Sequence, residues 1–219
     1  MPWGRADTIQ AGGGRQELIQ ATLDCIAEQG VHAATVREIA RRAGVSPGLI
    51  RHHFQTKEHM IEEAYRATMA GMTALSREAR DSAGGKPRER LRRYVAASLS
   101  PPVRDAKWLT LWAGFIAMIR LNPSMEAIHR ETYLDYRQDI EALLGEVFDE
   151  AGRAAAAGDR RLMAIKINAV IDGLWLEGSL DPSSFAEGEL LAAGLEAVEA
   201  ILGLPPSEAN GTAAQQEES

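Results

Sequence analysis

Between Thr35 and Lys57 the chain places five cationic side chains, Arg37, Arg41, Arg42, Arg51 and Lys57, against one acid, Glu38. A guanidinium is a planar fork of donors that fits a phosphate or the major-groove edge of a guanine, and a lysine ammonium is a point charge suited to a phosphate. Two histidines, His52 and His53, follow Arg51 directly. The whole chain is acidic, with 24 Lys/Arg, 31 Asp/Glu and a net charge of −7. Residues 1–60 hold seven basic and six acidic side chains; the remainder holds 17 and 25. The excess positive charge therefore sits at one end of an acidic molecule. That pattern implies an anionic partner met at one place, and the rest of the chain is a poor surface for nucleic acid.

Two short helices and a turn are needed to hold these groups. Thr35 followed by Glu38 reads as a capping box, with the carboxylate expected to reach back to the cap. Val36, Ile39, Ala40 and Ala43 share one apolar face at helical spacing. Gly44 is the left-handed stop, and Val45 tucks under the turn. Ser46 caps the next helix and Pro47 takes its first position, where a missing N–H costs nothing. Leu49, Ile50 and Phe54 anchor that helix and leave Pro47, Gly48, Arg51 and His52 outward. A helix–turn–helix of this kind lays its second helix in the major groove of double-stranded DNA, with its first residues at the base edges and Arg51 placed for a guanine. The competing reading is a solvated corner of two helices with surface arginines.

Residues 14–62 resemble the DNA-binding domain of the TetR family of bacterial transcriptional regulators. The most specific part is AGVSPGLIRHHFQTKEHM, which is similar to the family's A-G-V-S-x-G-x-x-Y-x-H-F-x-x-K-x-x-L signature. The resemblance implies that Arg37 reaches a base or phosphate, that Pro47, Gly48 and Leu49 line the groove, and that Ser46, His53 and Lys57 meet the DNA backbone. Arg51 stands where the family usually carries Tyr. A palindromic operator read by a homodimer follows from the same resemblance.

Other chemistries find little support. The five histidines, His32, His52, His53, His59 and His129, make no HExxH or other metal-spaced set. Nucleophile-elbow, Walker and dinucleotide glycine motifs are absent, and the glycine run at 12–14 precedes no suitable strand and helix. No catalysis, cofactor or metal is expected. Cys25, the single cysteine, reads as a small core residue. No apolar run is long enough to span a membrane and no apolar signal core opens the chain, so a cytoplasmic protein is expected.

The fold class expected is all-α, with about nine helices and no strand pattern. The helices are placed near 15–30, 35–43, 46–53, 56–84, 87–99, 104–120, 122–152, 159–179 and 184–202. The organisation expected is a flexible arm over 1–13, a helix–turn–helix domain over 14–56, a ligand-binding and dimerisation domain over 57–204, and a disordered tail over 205–219. On the fourth helix Ile61, Ala64, Tyr65, Thr68, Met72, Leu75 and Ala79 read as one face.

Trp108, Trp112, Phe115 and Ile119 fall on one stripe of the sixth helix. Such a stripe is either core or the wall of a ligand pocket between helices. Asn168, Asp172 and Trp175 share a face of an otherwise apolar helix, and a carboxylate there needs either an internal partner or a ligand cation, which Trp faces also attract. Tyr133 and Tyr136 are placed to add rings. The segments WLTLWAGFIAMIR and AVIDGLWLEGSL look like those of BetI-type regulators, the choline-responsive branch of the TetR family. A small-molecule inducer is expected between helices four to eight, lined by Trp108, Trp112, Phe115, Asp172 and Trp175, and the resemblance makes choline one candidate. On the ninth helix Leu191, Leu195, Val198 and Leu202 form a stripe flanked by small residues, and the resemblance implies that the last two helices form the dimer surface. The alternative function is a DNA-binding protein of the same fold with no inducer.

Overall fold

The computed structural model describes residues 14–153 and 155–204. The arm expected over 1–13 and the tail expected over 205–219 lie outside the described residues. Within the described residues the chain forms nine α-helices and no strand. They are α1 Arg15–Gln29, α2 Val36–Ala43, α3 Pro47–Phe54, α4 Lys57–Ser82, α5 Pro87–Ser98, α6 Ala106–Ile119, α7 Pro123–Glu150, α8 Ala157–Leu180 and α9 Glu189–Leu202. Short 3-10 turns occupy Val31–Ala33 and Pro182–Ser184. No helix among the described residues is long and apolar enough to cross a membrane.

Local chemistry sets most boundaries. Thr35, Ser46 and Thr56 each accept a first-turn N–H, from Glu38 at 3.2 Å, Leu49 at 3.3 Å and His59 at 3.1 Å. Asn122 does the same for α7, accepting from Ser124 and Met125 at 2.9 and 3.4 Å. Each such cap is worth about 1 kcal/mol. Gly44 closes α2 at φ +66°, where a side chain would be strained. The late start of α9, at Glu189 rather than near 184, follows from Asp181: its carboxylate accepts the hydroxyls of Ser183 and Ser184 and ties that segment into a separate turn.

Helices α1 to α3 close over Leu18, Ile26, Ile39, Ile50 and Phe54, all at most 1% exposed. Cys25 is fully buried among them, and burial pushes its thiol pKa up. Helix α4, 26 residues long, runs about 39 Å at ~1.5 Å per residue from the small N-terminal unit into the larger helical body. Its buried stripe departs from the expected one in the second half. Met69, Thr73 and Ser76 are buried, whereas Met72, Leu75 and Ala79 are half-buried. The stripe of α9 is likewise turned by a residue: Leu190, Gly194, Val198 and Leu202 face the body, and Leu191 and Leu195 are half-buried. Arg66–Glu131 and Arg77–Asp139 pairs, at 2.8 and 2.6 Å, tie α4 to α7.

Candidate nucleic-acid interface and ligand cavity

The capping box of α2 is only half formed. The Thr35 hydroxyl takes the Glu38 N–H, but the Glu38 carboxylate turns the other way, accepting from Arg41 at 2.6 and 2.8 Å and from Arg42 at 2.8 Å. These guanidiniums hold the Glu38 carboxyl down to about 2. Arg42 also donates to Glu28 on α1 at 2.7 Å. Two of the five cations in the motif are therefore engaged with acids of their own domain. Arg37, Arg51 and Lys57 form no ion pair with any described residue; Arg37 and Arg51 are exposed, and Lys57 is half-buried.

Helix α3 presents Pro47, Gly48, Arg51 and His52 to solvent, with Ser46 exposed at its cap. Leu49 and His53 are half-buried, and Ile50 and Phe54 lock the helix from beneath. The Arg15 guanidinium lies 5.3 Å from the Phe54 ring centroid and donates to Glu63 at 2.5 Å, so α1, α3 and α4 are fastened where α3 ends. The outcome is a rigid two-helix head with unneutralised cations and an exposed, small-residue helix start. A phosphate backbone meets the first need and a groove the second.

The second feature is a cavity of about 400 Å³ enclosed by α4 to α8, within the ~300–1,000 Å³ usual for ligand sites. Of the residues expected on a ligand, Trp112, Asp172 and Trp175 line it; Trp108 and Phe115 do not. Trp108, Leu111, Phe115 and Ile119 form the buried face of α6, and Trp112 with Ile116 forms the neighbouring face that meets the cavity. The Trp112 and Trp175 rings meet edge to face at 5.6 Å, and the Trp175 indole N–H is held by the Val103 carbonyl at 2.8 Å.

Asp172 stands at the cavity's open side. It accepts a hydrogen bond from the Tyr133 hydroxyl and one of 2.9 Å from the Asn168 amide, which also donates to the Tyr133 oxygen at 2.9 Å. No Lys or Arg among the described residues pairs with it. Part of the side chain reaches solvent, yet the protein around it removes enough water to push the carboxyl up to about 6. His129 lies tilted beside Tyr133 with ring centroids 4.9 Å apart and shares a 2.7 Å hydrogen bond with Tyr65 of α4. Burial, then the nearby Arg137, pulls the His129 pKa down. Sequence reasoning missed His129, Ser76, Ser98, Thr73 and Met69, all on the wall. Their signal was weak: Ser and Thr on the apolar faces of α4 and α5, a Met among them, and a lone His on α7.

Two helices connect cavity and head. Met69, Met72, Thr73 and Ser76 of α4 line the cavity, and the same helix starts at Lys57 beside the head. On α6, Trp112 and Ile116 face the cavity, and Gly114 between them faces the head. A Cβ on Gly114 would lie 2.9 Å from a Val31 methyl, so a side chain there would force Val31 or the helix to shift. Lys107 of α6 also pairs with Asp24 of α1 at 2.6 Å.

Two family models match the chain. Residues 18–64 match the model described as bacterial regulatory proteins, tetR family, and residues 87–203 match the BetI-type transcriptional repressor C-terminal model. The chain belongs to the TetR family, in its BetI-type branch. The regulator BetI of Serratia proteamaculans is 31% identical over 183 residues, covering 81% of this chain and 87% of that protein. A solved transcriptional regulator from Pseudomonas aeruginosa PAO1 is 34% identical at a TM-score of 0.77, covering 86% of this chain and 90% of that one. A regulator from Saccharomonospora viridis, solved in complex with choline, is 22% identical at a TM-score of 0.65, covering 86% and 95%; at that identity it shows the shared fold. This TetR-family member is thus a DNA-binding transcriptional regulator, and its helix–turn–helix is the α2–α3 pair.

Proposed function

We propose that the protein is a repressor that binds an inverted-repeat operator as a homodimer and leaves it when a small organic cation enters the cavity. Residues 14–56 act as the reading head and 57–204 as the sensing and dimerising body. Arg37, Ser46, Pro47, Gly48, Leu49, Arg51, His52, His53 and Lys57 form the DNA surface, with Arg51 at a base edge and Lys57 on a phosphate. The exposed faces of α8 and α9, with Leu162 and Leu180 at 51% and 66% exposure, form the dimer contact. No catalysis, cofactor or metal is assigned, and the site of action is the cytoplasm.

One observation carries the inducer class: Asp172 is a carboxylate between aromatic walls with only neutral groups upon it. Removing water from a carboxylate is costly, and a cation that brings its own charge while resting on the Trp112 and Trp175 rings offsets that cost. Choline, the ligand of the Saccharomonospora viridis relative, belongs to this class. The test selects the operator from random duplex DNA, then titrates choline and simple amines against the complex while following tryptophan fluorescence. Saturable binding with release of DNA is expected. Binding of DNA with no response to any cation at millimolar concentration would leave a regulator without a cationic inducer.

A further inference from the structure

The hydrogen-bond ledger of the cavity narrows the ligand further. Three hydroxyls meet at the wall away from Asp172. Ser98 donates to the Tyr94 carbonyl at 3.2 Å, Ser76 and Ser98 lie 2.9 Å apart, and Ser98 and Tyr136 lie 2.7 Å apart. Ser98 has a single proton, which goes to the carbonyl. With all three bonds made together, Ser76 and Tyr136 must both donate to the Ser98 oxygen. Burial raises the Tyr136 pKa, so its proton stays on. The Tyr136 oxygen, on a half-buried side chain, keeps unused lone pairs.

The same count holds at the other wall. The Tyr133 proton goes to Asp172, and the two Asn168 amide protons go to Tyr133 and Asp172. The amide must face this way, because a carboxylate only accepts. Thr73 gives its proton to the Met69 carbonyl and Trp175 gives its own to Val103. Among the lining residues the Trp112 indole and one ring nitrogen of His129 stand outside this accounting. The rest of the polar lining offers lone pairs with its protons already spent. Tyr133 and Tyr136 are three residues apart on α7, neighbours on one face, and reach to different walls, α8 and α5.

We propose that the cavity selects an N–H-bearing organic cation that carries a second hydrogen-bond donor, an amino alcohol or a diamine, over a fully alkylated ammonium. This rests on the cationic-inducer reading above and goes beyond it. Both kinds of cation satisfy the charge of Asp172 and the tryptophan rings. A fully alkylated ammonium has no N–H for the acceptors around Asp172, where its methyl groups must sit, and an acceptor that faces a methyl group gains nothing in exchange for its lost water. The size agrees: at the ~30 Å³ that a water takes in the liquid, about 400 Å³ holds on the order of a dozen non-hydrogen atoms, room for a ligand that spans both walls.

The experiment is calorimetric titration of the full chain at neutral pH with tetramethylammonium, choline, N,N-dimethylethanolamine, ethanolamine, propylamine and putrescine. Affinity is expected to rise as methyl groups give way to N–H, with ethanolamine at least tenfold tighter than choline and putrescine tighter than propylamine. Tyr136→Phe should erase most of putrescine's advantage and leave propylamine unchanged. Choline binding as tightly as ethanolamine, or more tightly, overturns N–H selection while the cationic reading stands. Equal losses for putrescine and propylamine in Tyr136→Phe overturn the second donor site. If none of the six binds, both this inference and the cationic reading fail. The ranking on the wild-type chain decides N–H selection even where a variant fails to fold.

Discussion

The head and the cavity leave opposite things unsatisfied. At the head, Arg37, Arg51 and Lys57 stand without counter-charges, on a surface where water tolerates them until a polyanion arrives. In the cavity, one carboxylate stands without a counter-charge and several oxygen lone pairs without donors, where water is partly excluded. The first arrangement costs the apo protein little, because exposed charges are well hydrated. The second costs more, and its expense is visible in the raised carboxyl of Asp172. A surface can wait for its partner in any number of copies; a cavity has to be built around one deficit.

The largest expected effect marks where the cavity ends and the core begins. Trp108→Ala should destabilise the fold by about 3–5 kcal/mol, since Trp108 is only 8% exposed and lies on the core face of α6. Thermal melting checks this. A loss below about 1 kcal/mol would place Trp108 on the cavity after all.

Next comes Asp172. Asp172→Asn should weaken cation binding by about 2–3 kcal/mol, less than the ~3–5 kcal/mol of a fully buried pair because part of the carboxylate reaches solvent. The same variant should melt slightly higher at neutral pH. The folded carboxyl pKa is raised, so the stability tied to its proton is present at low pH and lost as pH rises through about 6. At neutral pH the ionised group is a net cost, by at most about 1 kcal/mol given its exposure. Cation affinity should follow the ionised form: flat above pH 7 and falling below about 6. The groups facing Asp172 are Tyr133 and Asn168, with His129 beside Tyr133 and Arg137 over its ring. Protonation of His129 would deepen the fall and not reverse it. Affinity that rises on acidification contradicts the assignment.

At the head the effects are smaller. Arg51→Ala should cost about 1–3 kcal/mol on the selected operator and relax base choice at one position, leaving cation binding untouched. An unchanged site preference would remove Arg51 from the base edge. The smallest effects separate paired from unpaired cations. Lys57→Ala should flatten the salt dependence of DNA binding by about one contact, whereas Arg41→Ala, already neutralised by Glu38, should change it by less. Equal slopes for the two variants would show that the Glu38 pair opens on DNA.

Legibility followed the same divide. The head could be read because its determinants are neighbours in sequence: Thr35, Gly44, Ser46 and Pro47 fix their own backbone within a turn of the chain. Even there the Glu38 carboxylate escaped, because a cap N–H and two guanidiniums compete for it and the charged donors win. The cavity draws Met69, Ser98, Trp112, Tyr133 and Asp172 from five helices, and no window along the chain contains more than a fraction of it. Helical spacing found the apolar stripe of α6 but not which adjacent face would meet the void, so Trp108 and Phe115 were grouped with Trp112. Asp172 was legible for a different reason: an acid on an apolar helix face demands a partner wherever the fold puts it.

The Glu38 clamp has a consequence for how the protein finds its site. A regulator shares the cell with about 10⁶–10⁹ competing stretches of irrelevant sequence, and each free cation lengthens its stay on every one of them. By holding Arg41 and Arg42, Glu38 leaves fewer free cations on the head to grip random duplex. For as long as that pair holds, a carboxylate inside the head lowers the number of phosphate contacts open to irrelevant sequence, and with it the time lost between encounters.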